Sequence, residues 1–189
     1  GVNTLGVDMG DRNALEEKVV KELHIPKGKK VVFKMRSQDV LHSAYMPHFR
    51  AQMNCVPGMV TQFAFKPIFT TAEMREQQFM HEKVKNINQI REKKSAELVA
   101  KGETALDPYT FDYLLICNKI CGASHYNMQM KIVVDSPEDY KKWLKGLPTI
   151  VDEIKVASAA PATEANPATK DSATNTKTDS TLVAQAETK

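Results

Sequence analysis

The chain has 189 residues, 26 basic and 23 acidic, for a formal net charge of +3. Hydrophobic residues make up 42% and charged residues 26%, an ordinary globular balance that argues against disorder along most of the chain. The charge is too small to imply nucleic acid, and the longest apolar run, the five residues Tyr113–Cys117, is far short of the roughly 20 that cross a bilayer.

In chain order, residues 1–21 are a weakly patterned lead-in and 22–148 the expected folded body. No membrane helix or signal peptide is expected in these residues, and a first residue of Gly is compatible with an anchor or leader ahead of it. Val31, Phe33 and Met35 alternate with Lys30, Lys34 and Arg36, the pattern of a half-buried strand over 29–37. After the turn signal Pro57-Gly58, Phe63 and Phe65 alternate with Gln62, Ala64 and Lys66. Thr70 and Glu73 form a possible capping box for a helical insert over about 72–101, with Met80, Val84, Ile87 and Ile90 as a narrow stripe. A continuous helix there is about 45 Å long, too long for a compact barrel. Two helices or a projecting hairpin are therefore expected, with Asn86 and Asn88 as the break.

Alternation returns through Tyr109, Phe111, Tyr113 and Leu115, and again through Met130, Ile132 and Val134. Ser136, Pro137, Glu138 and Asp139 read as a helix start, and Tyr140, Trp143, Leu144 and Leu147 make one apolar stripe before Gly146 and Pro148 stop it. This predicts a short C-terminal helix over about 137–145. The fold class is therefore all-β, an antiparallel sandwich or barrel with a helical insert. From Val156 to Lys189, 19 of 34 residues are Ala, Ser or Thr, so 149–189 is expected to be a disordered tail.

Chemistry concentrates in one loop. Cys117, Cys121, His125 and Met128 fall in the spacing C-x-x-x-C-x-x-x-H-x-x-M, and two thiolates, an imidazole and a thioether form a soft donor set suited to copper. The second thiolate suggests two metals sharing sulfurs. His42 is the best second imidazole, read as ending a strand-like stretch from Ser37. His24 and His81 have polar neighbours and read as surface residues, and His48 sits in a turn after Pro47. Met130 belongs to a buried strand face, which favours Met128 as the thioether. Cys55 reads as a small core residue. Three alternatives stay open from the residues alone: a disulfide, a zinc module using Cys117, Cys121, His125 and His42, and a copper chaperone or thiol-disulfide protein.

Asp39–Ser43, Pro47, Phe49-Arg50 and Val56–Gly58, followed by the Cys117–Met128 loop, resemble the copper-bearing extramembrane domain of cytochrome c oxidase subunit II. The resemblance implies a cupredoxin-like Greek-key β-barrel with a binuclear copper centre, CuA. It implies that Cys117 and Cys121 bridge two coppers, that His42 and His125 each bind one, that Met128 is a weak ligand, and that Lys119 gives its backbone carbonyl. Asp39 and Ser43 are the candidates to support these ligands. Cytochrome c or another donor is the implied electron source and haem-bearing subunit I the acceptor. The implied place is the outer, periplasmic face of a bacterial inner membrane or the mitochondrial intermembrane-space side, with anchoring through an N-terminal hairpin. The chain departs from the family at Lys119, where a glutamate usually helps bind magnesium or manganese against subunit I, in lacking the aromatic stretch that carries the electron-accepting tryptophan, and in its helical insert.

Overall fold

The computed structural model describes residues 8, 10–152 and 154. Most of the expected tail, and residues 1–7 of the lead-in, lie outside the described residues. A one-turn helix α1 (Arg12–Leu15) precedes seven strands: β1 (Leu23–Pro26), β2 (Val31–Met35), β3 (His42–Met46), β4 (Ala51–Cys55), β5 (Thr61–Phe65), β6 (Tyr113–Cys117) and β7 (Gln129–Asp135). Helices α2 (Thr71–Arg75) and α3 (Gln78–Ala100) fill the interval between β5 and β6, and α4 (Pro137–Gly146) follows β7. A five-stranded sheet runs in the order β1-β7-β6-β3-β4, and β2 pairs with β5 in a second sheet. The fold is thus mostly β, with the helical insert and short C-terminal helix where sequence places them. One pairing is parallel, β1 on β7 with Leu23 opposite Ile132, where periodicity alone suggests an antiparallel arrangement throughout.

The alternating residues do what alternation requires. Val31, Phe33 and Met35 from β2, Phe111, Tyr113 and Leu115 leading through β6, and Ile132 and Val134 from β7 are all buried in one core, and Phe65 stacks on Phe33 and packs against Phe49. Cys55 belongs to this core and Met130 packs on its edge, as expected. Tyr109 does not start the strand. Its backbone is held by Asn88, whose Nδ2 donates to Tyr109 O at 3.2 Å and whose Oδ1 accepts from Tyr109 N–H at 2.7 Å.

That same contact corrects the expected helix break. Asn88 uses its amide to hold the returning chain, so α3 runs unbroken for 23 residues, about 34 Å. The break falls at Glu76 and Gln77, between α2 and α3. Only the beginning of the apolar stripe is used: Met80 is buried and Val84 packs on the core, whereas Ile90 is exposed. Arg91 donates to Asp107 O and Ser95 accepts from Leu106 N–H, so the chain after α3 doubles back along it. The insert is therefore a projecting helical hairpin, one of the two forms expected. The capping box at its start is present in full, Thr70 Oγ1 accepting from Glu73 N–H and Glu73 Oε2 from Thr70 N–H.

Two further expectations change. His42 begins a strand instead of ending one, because residues 36–41 form the link between β2 and β3. His24 is not a surface residue: it lies in β1 with its side chain 16% exposed, bonded to Asp135 at 2.5 Å and stacked on Trp143 at 4.3 Å. Of its polar neighbours, Glu22 also reaches the ring, with Oε1 3.2 Å from Nε2. His81 is exposed as expected, and Trp143 packs as its stripe predicted.

Candidate metal centre

β3 and β6 are antiparallel neighbours, with Ala44 opposite Cys117, so the start of one strand lies beside the end of the other. This brings His42 to Cys117 across 75 residues of sequence. The loop after Cys117 then folds back on itself. Gly122 adopts φ +141°, a conformation L side chains rarely take, and its carbonyl accepts from His125 N–H at 3.1 Å. A single 3-10 turn, His125–Asn127, presents His125 and Met128, and Cys117 N–H closes the loop on Met128 O at 3.0 Å.

The donors form a chain. His42 Nδ1 lies 3.9 Å from Cys117 Sγ, the two sulfurs are 3.8 Å apart, and Cys121 Sγ lies 3.5 Å from His125 Nδ1. Lys119 O is 3.2 Å from Cys117 Sγ, and Met128 Sδ is 3.2 Å from Cys121 Sγ. The ligand atoms of His42, Cys117 and Cys121 all lie within 4.8 Å of one another. A sulfur separation of 3.8 Å is nearly twice a disulfide bond, and both cysteines are free thiols. His42, Cys117 and Cys121 thus cluster, with Lys119 O against Cys117 and His125 and Met128 against Cys121, and a donor set of thiols, imidazoles and a thioether fits copper.

Asp39 sits behind His42, with Oδ1 2.8 Å from Nε2. Its carboxyl is held below the usual range by that hydrogen bond first and by the Val40 backbone next. The ionised carboxylate accepts Nε2–H and so orients the ring with Nδ1 toward Cys117. Burial pushes the His42 imidazole down, but its hydrogen bonds to Asp39 and Cys117 outweigh this and leave it raised. Ser43 acts differently: its buried hydroxyl accepts from Gln52 Nε2 at 2.5 Å, and its backbone carbonyl accepts from Asn118 N–H. Asn118 is a tether that spacing did not single out, because a backbone donor leaves no mark in sequence.

The thiols split. Burial pushes Cys117 up, yet hydrogen bonds from backbone groups of Ser43 and Lys119 and from the imidazoles of His42 and His125 bring it down to about 6. Cys121 is pushed up, by burial and then by its neighbour Cys117. His48 stands apart from the centre: its ring meets Phe111 edge-on at 4.8 Å, and burial with the Lys83 ammonium lowers its pKa.

Residues 2–73 match the family described as the periplasmic domain of cytochrome c oxidase subunit II, a stretch that includes His42. The alternative cytochrome c oxidase subunit 2 of Bradyrhizobium diazoefficiens is 34% identical over 145 residues, which is 76% of this chain and 38% of that protein. The chain is a relative of cytochrome c oxidase subunit II. Subunit 2 of Thermostichus vulcanus is 26% identical over 123 residues, 65% of this chain and 25% of its own length. The chain therefore spans well under half the length of these relatives. The solved periplasmic domain of cytochrome oxidase subunit II from Bradyrhizobium japonicum aligns at 15% identity with a TM-score of 0.43, covering 74% of this chain and 76% of that one. Among the described residues, no helix is long and apolar enough to cross a membrane.

Proposed function

We propose that the chain is the electron-accepting extramembrane domain of a haem-copper oxidase, with His42, Cys117, Cys121, His125, Met128 and the Lys119 carbonyl holding a binuclear CuA centre. The observation that carries this reading is the order of donors: imidazole, thiol, thiol, imidazole, with the paired sulfurs in the middle. That order suits two metals sharing two sulfurs. A copper pair held by these residues would supply one-electron transfer.

The chain's own residues prepare that step. Cys117 is ionised near neutral pH, ready to bind metal as a thiolate. Asp39 orients His42, and the β3–β6 pairing fixes His42 against the loop, so His42 and Cys117 are held by strands while the other ligands come from the loop. A zinc module leaves Met128 without a role, although its sulfur lies against Cys121. The electron donor is cytochrome c or an equivalent protein, the acceptor is haem-bearing subunit I, and the domain stands on the outer face of the membrane, anchored by a hairpin ahead of these residues. Relatedness to a periplasmic domain supports that placement.

Copper reconstitution followed by metal analysis and a visible spectrum tests the reading. Two coppers per chain and a purple mixed-valence spectrum are expected, and His42→Ala should lose both. One zinc and no colour overturns it.

A further inference from the structure

His48 is a titratable group that the metal centre leaves unused. It sits in the turn Pro47–Phe49 between β3 and β4, its ring edge-on to Phe111 at 4.8 Å and to Tyr113 at 6.1 Å. Its Nδ1 is shielded from solvent and has no hydrogen-bond partner among the described residues. Its Nε2 lies 3.4 Å from Nζ of Lys83, on the second turn of α3. An ammonium can only donate, so this contact needs a neutral imidazole whose Nε2 lone pair accepts.

That contact stands where the insert is attached. Met80 is buried in the core and Val84 packs against it, both within the first two turns of α3. Farther along, Asn88, Arg91 and Ser95 bond to the returning chain at Tyr109, Asp107 and Leu106, so these bonds hold the hairpin to itself. Protonation of His48 would put an N–H on Nε2 against the ammonium, a like charge at 3.4 Å, and a cation among aromatic rings. The charged neighbours do not relieve it. Asp112, between Phe111 and Tyr113, is engaged by Arg75 at 2.8 Å and Lys131 at 3.6 Å. Beside Lys83 on α3, Glu82 accepts from Gln78, and His81 faces Glu76 at 3.9 Å. Arg50, in the turn itself, is a further cation. The Tyr113 phenol, pushed up to about 12 by burial, stays neutral in acid.

We propose that His48 and Lys83 form an acid-sensitive catch for the helical insert: protonation of His48 frees the first turns of α3 from the sheets and uncovers the apolar surface beneath Met80. Burial and then the Lys83 ammonium lower the His48 pKa while the insert is attached. The freed form therefore takes the proton more readily. The attachment is at full strength above 6.5, the ordinary imidazole value, and weakens as pH falls below it. Neither side chain contacts a proposed metal ligand, so the catch is independent of metal loading.

The test is amide hydrogen exchange of the whole chain, read residue by residue by NMR at pH 7.5 and pH 5.5 and corrected for the exchange of free amides at each pH. Protection over the first half of α3 is expected to fall severalfold in acid, while β6 and β7 keep theirs. His48→Phe, which fills the same aromatic space without titrating, should abolish the fall. Lys83→Met removes the like charge, so it should shrink the fall and raise the pH at which the His48 ring signals titrate. Equal protection of α3 at both pH values overturns the proposal, as does an undiminished fall in Lys83→Met or in a folded His48→Phe chain. A loss of protection spread evenly over α3, β6 and β7 also overturns it, since that is acid unfolding of the whole body.

Discussion

Cys117 and Cys121 stand 3.8 Å apart and shift in opposite directions, because hydrogen bonds lower the first while burial and then its neighbour Cys117 raise the second. In the metal-free chain, Cys117 should therefore react with iodoacetamide along a curve whose midpoint lies near its pKa of about 6. Cys121 should still be gaining reactivity well into the alkaline range, since its thiol is raised. Peptide mass spectrometry after brief labelling separates the two, and equal labelling at pH 7 would contradict the split. Lys119 gives a second prediction at this scale. Only its backbone carbonyl approaches Cys117, and that group survives substitution, so Lys119→Ala should keep its copper by metal analysis. An ammonium has no lone pair for a hard cation, so the intact oxidase should show no manganese resonance from a site ligated through residue 119. Most of these donors were legible because one loop carries them at short spacing. His24 was misread because its decisive partner, Asp135, lies 111 residues away.

At the scale of elements, legibility followed strength of pattern. β2, β5, β6 and β7 alternate cleanly and were found. β1 is four residues long and ends in Pro26, too short for a period to show. β3 buries Ser43 and Ala44 side by side because it lies between β4 and β6, so its pattern is not one of simple alternation. β4 buries only Ala51 and Cys55 at its two ends. α4 was readable because its start is written in side chains: Ser136 accepts from Asp139 N–H at 3.1 Å, Pro137 opens the first turn, and Glu138 and Asp139 face the positive end of the helix. Ser136→Ala should cost about 1 kcal/mol, seen as a lower urea midpoint with an unchanged slope. A change in slope would mean that α4 melts apart from the body. The insert's length was legible, but its break was not, because Asn88 is spent on Tyr109 and gives no local sign of it.

For the whole molecule, the metal centre joins two distant parts of the chain, His42 from the first half and the Cys117–Met128 loop from the second. Metal that binds only the folded form should stabilise it by mass action, so the thermal midpoint should climb with free copper concentration. His42→Ala should flatten that climb by removing one anchor, and an undiminished climb in the variant would place the second imidazole elsewhere. The parallel pairing of β1 with β7 carries a separate consequence for the order of events during synthesis. β1 leaves the ribosome early, but its hydrogen-bonding edge waits for β7, the last strand among the described residues. Contacts so far apart along the chain make folding slow and late. The metal loop immediately precedes β7, so the thiols emerge just before the sheet can close over them. On the proposed copper reading, a carrier that loads this centre meets a closed sheet and not a growing one.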